Sequence, residues 1–200
     1  SVTSIGERIF ENCSGLISVY IGNGLTRISR CTFLGCKSLI KVHIGSSVTD
    51  IGGAAFRECS SLTEISLPDS VASIGEGAFL DCSSLTKIII PKNITRIGNR
   101  AFSWCSDLTE ITIPDGVNGI GEEAFEHCSE LKEITIPGSV TTIGSGAFTW
   151  CTSLTSLTIP DGVNSIGDRA FSDCSSLTNL TIPDSVTSMG EEAFSSCDSL

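Results

Sequence analysis

Cysteine, histidine and tryptophan are the side chains through which this 200-residue chain could do chemistry, and the cysteines come in order. Cys13, Cys36, Cys59, Cys82, Cys105, Cys128, Cys151, Cys174 and Cys197 recur every 23 residues, each closing a Phe-x-x-Cys that uses every phenylalanine in the chain. Such a column could form disulfides, hold a metal or pack as buried thiols. An odd number cannot pair fully, and no C-x-x-C or Cys/His cluster offers zinc its tetrahedral ligands. In-register parallel side chains would also keep sulfurs at the repeat spacing, far from the ~2 Å of a disulfide bond. The column therefore reads as reduced, buried and inert. Cys31 lies off it, five residues before Cys36, where other repeats carry Arg, Glu, Gly or Ala. It is expected to be exposed and is the candidate reactive thiol.

No catalytic constellation accompanies the thiols. His43 and His127 lie almost four repeats apart at different places within the repeat, too far to share a nucleophile. The glycines punctuate the repeat and form no phosphate-cradling loop. The Asp-Gly-Val-Asn turns at 115–118 and 161–164 lack the carboxylate density of a calcium site. The chain is expected to be no enzyme, with no cofactor and no metal.

An unbroken 23-residue period specifies a solenoid, one coil stacked on the next. Counting each Cys as offset zero, apolar residues fall at 0, 3, 6, 8, 12, 15, 19 and 20. In one coil these are Cys151, Leu154, Leu157, Ile159, Val163, Ile166, Ala170 and Phe171. The alternation at 6 and 8 predicts a strand. A proline from the third coil onward (Pro68, Pro91, Pro114, Pro137, Pro160, Pro183) ends it. Val-x-x-Ile-Gly predicts a second short strand on the opposite side. The Ala-Phe-x-x-Cys piece is too short for an isolated helix and is expected to make one helical or 3-10 turn. A lone coil leaves most of its apolar surface bare, so stability must come from stacking.

Residues 1–200 thus read as one elongated domain of about nine coils, roughly 40 Å long at strand spacing. The net charge of −11 and pI near 4.5 oppose nucleic-acid binding and an anionic membrane surface. No apolar run suggests membrane insertion. Both ends fall inside a repeat without the polar caps that solenoids carry. The chain is therefore expected to be a piece of a longer array, truncated at both ends, with uncapped ends open to oligomerisation.

The pattern Leu-x-x-Ile-x-Ile-Pro, then Val-Thr-x-Ile-Gly-x-x-Ala-Phe-x-x-Cys, resembles the BspA-like (Treponema-type) leucine-rich repeat over essentially the whole chain. The resemblance implies a right-handed parallel solenoid carried by secreted or cell-surface microbial proteins that adhere to host proteins, other cells or matrix; the chain is accordingly expected to bind a protein or glycan through its varied exposed side chains. The first coils depart from the pattern: Gly22 and Gly45 stand for Pro, Ser29 for Gly, and Ile9 and Thr32 for Ala. The competing reading is a structural spacer that holds another domain away from the cell.

Binding chemistry must lie in positions that vary. Offsets 5 and 7 point away from the core onto the presumed concave sheet face. Offset 5 carries Lys41, Glu64, Lys87 and Glu110, an alternation that avoids like-charge neighbours; Glu133 then breaks it. Tyr20, Lys41 and His43 gather at one end of this face as a candidate ligand-binding patch. A second candidate is the row at offset 22, Trp104, His127 and Trp150, which could stack on a sugar or anchor a protein, or simply cover apolar neighbours. Threonine rows at offsets 4 and 7 raise an ice-binding alternative, but Lys132, Ile89 and His43 interrupt them. Asn12, Asn93 and Asn179 sit in N-x-Ser/Thr sequons, meaningful only in a source that glycosylates.

Overall fold

The computed structural model describes residues 2–200. Each 23-residue interval makes one coil with three sides, and each side is built by a different local rule. The first side is the strand that the alternation predicts. In Lys41–Ile44 the residues run exposed, buried, exposed, buried. Five such segments (Ser18–Ile21, Lys41–Ile44, Glu64–Ile65, Lys87–Ile89, Glu110–Thr112) form one parallel sheet. Ser156–Thr158 and Asn179–Thr181 form another. Register is fixed at one coil per rung, as in Tyr20 opposite His43 and Lys87 opposite Glu110.

The second side is the short Val-x-x-Ile strand. Arg27–Ile28, Asp50–Ile51 and Ser73–Ile74 pair in one sheet. Arg96–Ile97, Gly119–Ile120, Thr142–Ile143, Ser165–Ile166 and Ser188–Met189 pair in the next. The glycine that follows this strand is needed for close approach: a Cβ on Gly144 would lie 2.6 Å from the Glu122 nitrogen of the preceding coil. In the second coil Ser29 replaces it and donates its hydroxyl to the Ile5 carbonyl at 2.7 Å.

The third side differs from the expected helical turn, since no helix forms. Alternate N–H groups bond three residues back, as a 3-10 turn would: Thr32 to Ser29, Leu34 to Cys31, Cys36 to Phe33. The intervening N–H groups instead run to the following coil: Cys31 to Gly53 (3.0 Å), Phe33 to Ala55 and Gly35 to Arg57 (both 2.8 Å). This is possible because the residues at offsets 18 and 22 are left-handed, with φ of 53° at Cys31 and 72° at Gly35. Every positive φ among the described residues falls at one of these two offsets. Two left-handed residues per coil stop the helix after one turn and aim its free donors along the solenoid axis.

The core fills the triangle between the sides. Phe33 to Phe171 are fully buried, and the rings stack face to face up the axis with centroids 5.1–5.5 Å apart. The two strand sides are not continuous. On the second side the ladder breaks between Ser73–Ile74 and Arg96–Ile97. On the first it breaks after Glu110–Thr112, where the next coil brings Glu133 alongside, and resumes only with the Glu133–Ser156 bridge. This break falls where two carboxylates, Glu110 and Glu133, occupy the same offset of successive coils, an arrangement that disfavours pairing.

Candidate functional site

The thiols have a structural task. Cys36 Sγ donates to the Phe10 carbonyl at 3.1 Å, and Cys59 to Phe33 at 3.2 Å. The same bond recurs to Cys197, which donates to Phe171. That phenylalanine oxygen also accepts the N–H of the cysteine in its own coil, so the thiol satisfies its second lone pair. All ten cysteines are free. Burial raises the pKa values of the column from Cys36 to Cys197, to about 12 for Cys59 and Cys174, which leaves these thiols unable to supply thiolate at neutral pH.

Cys31 contradicts its expected exposure. It is only 3% exposed, its two-atom side chain sitting in a row between Arg8 and Ala54 of the neighbouring coils. Cys13 is the exposed thiol.

On the first strand side, Tyr20 and His43 stack with centroids 4.5 Å apart and planes within 4°. Tyr20 is 77% exposed. Its partner's register places Lys41 on the same face, two residues before His43. Of the alternating charges, Lys87 and Glu110 meet at 2.6 Å, and the ammonium lowers the Glu110 pKa. Lys41 and Glu64 face each other in register without an ion pair. Ile17, Ile40 and Ile89 extend this exposed apolar surface. The threonine row at offset 4 is occupied by the backbone: Thr86 donates to the Thr63 carbonyl and Thr109 to that of Thr86, both at 3.2 Å.

The offset-22 row also comes together. Trp104 stacks on His127 at 3.8 Å, and His127 on Trp150 at 5.6 Å. The indoles are about half exposed, 49% and 44%, yet both faces of the imidazole are covered. All three residues have positive φ, but so do Glu58 and Asp81 in the same row, so that strain belongs to the coil and not to a site. Beyond Trp104 opens a cavity of about 400 Å³ lined by Arg57, Glu58, Asp81, Arg100 and Glu126. Desolvation and the adjacent Glu58 raise the pKa of the exposed Asp81.

The model of the BspA type leucine rich repeat region, in six copies, matches residues 1–108 and 72–200. The chain belongs to this family. Among solved structures, this BspA-type chain is similar to a leucine-rich repeat protein of Bacteroides ovatus (31% identity, TM-score 0.77). It covers 100% of itself and 63% of that protein in the comparison. It is also similar to a leucine rich cell surface protein of Faecalibacterium prausnitzii (34% identity, TM-score 0.77, covering 96% and 62%). A leucine-rich repeat protein of T. pallidum is more distant, at 27% identity and TM-score 0.51, with 100% and 72% covered. The chain thus spans less than two thirds of the length of the first two. No curated protein gives a significant match.

Two positions in the BspA-type coils escape sequence reading as site residues. Ser66 and Ile89 share the offset of Tyr20 and His43, and with His43 line a groove on the sheet face. Reading that row for size would find them, because a small residue stands between two large ones.

Proposed function

We propose that this chain is a protein-binding module of a bacterial surface or secreted protein, non-enzymatic, using the first strand side as its binding face. The observation that carries the reading is the Tyr20–His43 stack, an aromatic pair left open to solvent on a rigid ladder. Burying such a pair against a partner releases apolar surface from water at little conformational cost, because register already holds the rings. Lys41 beside it adds a charge that selects partners. Surface placement is supported by the name of the similar Faecalibacterium protein. No helix among the described residues is long and apolar enough to cross a membrane.

The Trp104–His127–Trp150 row serves packing in this account. Its rings are satisfied by one another, and the null outcome of its mutation on binding is part of the proposal. The test is a binding screen against extracellular matrix proteins and a glycan array, with Tyr20→Ala/His43→Ala and Trp104→Ala/Trp150→Ala as variants. Loss of a protein ligand with the first pair alone supports the reading. A glycan ligand, or loss with the tryptophan pair alone, overturns it. A wild-type chain that binds nothing favours the spacer.

A further inference from the structure

We propose that the binding face contains a slot for one aromatic side chain of the partner, flanked by a carboxylate, with Ser66 as its floor. This rests on the protein-binding reading above and deepens it. The offset-7 row runs Tyr20, His43, Ser66, Ile89, one residue per coil. Tyr20 and His43 fill two successive rungs and stack. At the third rung the side chain is a bare hydroxymethyl. At the fourth, Ile89 stands 65% exposed. With coils about 4.8 Å apart, His43 and Ile89 face each other across roughly 9.6 Å, so a flat ring placed midway would lie about 4.8 Å from each. That is close to the 4.5 Å at which Tyr20 already stacks on His43. The partner's ring would supply the missing rung.

The space is present. A groove of about 340 Å³ lies over Ser66, between His43 and Ile89, with Lys41, Glu64 and Lys87 along its rim. This is the lower end of the range for built ligand pockets and suits one indole or phenol. The rim's charges are unequal. Glu110 neutralises Lys87 at 2.6 Å, whereas Lys41, at the His43 end, and its in-register neighbour Glu64 make no ion pair among the described residues. The unpaired Lys41 selects an anionic group on the His43 side of the ring, and Glu64 keeps that group away from the middle of the rim. A sugar fits less well: its hydroxyls ring the whole molecule, while the walls are an imidazole face and a branched aliphatic chain. The occupant is therefore an aromatic residue next to Asp or Glu on an extended segment of another protein.

The test uses the whole chain and an acetylated, amidated peptide Gly-Asp-Trp-Asp-Gly, with Leu in place of Trp as control. Methyl NMR follows Ile89, whose δ-methyl moves upfield under the ring current when an indole stacks on it. The expected result is a saturable upfield shift with the Trp peptide and none with the Leu control. Ser66→Trp supplies the rung from within, on a row that already holds Tyr and His. It is expected to melt like the wild type, to show the upfield methyl without peptide, and to give no further shift. Lys41→Gln is expected to weaken binding about three- to tenfold at low salt and to flatten its salt dependence. An Ile89 methyl that ignores the peptide, or a Ser66→Trp chain that still binds it, overturns the slot. So does an equal response to the Leu control, or a response to oligosaccharides instead. If the screened protein ligand binds Ser66→Trp normally but is lost from Tyr20→Ala/His43→Ala, the slot fails while the binding face stands.

Discussion

A thiol that donates to a carbonyl one coil away is a structural bond, and its chemistry follows from that. Below about pH 8.5 both folded and unfolded chains hold their thiol protons. Above it the unfolded chain releases them while the buried column keeps them, to about pH 12 at Cys59 and Cys174. The unfolded state then binds fewer protons, so stability must fall as pH rises, by up to ~1.4 kcal/mol per pH unit for each such thiol. Urea unfolding at pH 7.5, 9 and 10 should show this decline, and Cys128→Ala should make it shallower; a flat profile would deny the buried column. The same burial decides reactivity. A thiol reagent applied to the native chain should modify Cys13 quickly and leave Cys31 untouched until unfolding. The Phe-x-x-Cys column was legible in the sequence because period and residue type recur without exception. Cys31 was not, because the residues at its offset range from glycine to arginine, so no repeat pattern encodes how deeply a side chain there is covered.

At the scale of the element, the left-handed turns carry the clearest consequence. Non-glycine residues occupy most of these positions, including Glu58, Trp104 and Arg169, and a Cβ there costs roughly 1–2 kcal/mol relative to glycine. Glu58→Gly should therefore stabilise the chain by about 1 kcal/mol in chemical denaturation, against the usual effect of adding glycine. Destabilisation would mean that the left-handed backbone is not what holds the turn. The sequence reads these turns as helical or 3-10, which captures the three-residue hydrogen bonds and misses the bonds to the next coil. Residue identity could not correct this, since Trp, His, Glu and Asp at offset 22 carry no common left-handed signal. The break at Glu133 was legible as a fault in the charge alternation, though its size was not. Glu133→Lys should let the ladder close on Glu110, raising stability by about 0.5–1 kcal/mol and slowing amide exchange at Thr109 to Thr112.

Over the whole molecule, stacking makes the solenoid quasi-one-dimensional, with each coil supported by its two neighbours. Phe102 sits mid-column between Phe79 and Phe125, and Phe102→Ala should cost about 3–5 kcal/mol. It should also broaden unfolding into two steps, as the arrays on either side uncouple. The fold was legible at this scale because every coil repeats the same apolar slots. The proposed binding face was legible only in part: Tyr20, Lys41 and His43 stood out by departing from the pattern, whereas Ser66 enters the proposal by being small, and smallness draws no attention in a surface row. The central claim is that the spine holds the shape and the first strand side binds. Titrating the protein ligand from the screen against wild type and Tyr20→Ala/His43→Ala, with thermal melts in parallel, tests it most directly. The account predicts binding weakened at least about a hundredfold, as for loss of a paired aromatic hot spot, with an unchanged melt. Unchanged affinity, or a loss that merely tracks a lowered melt, would contradict it.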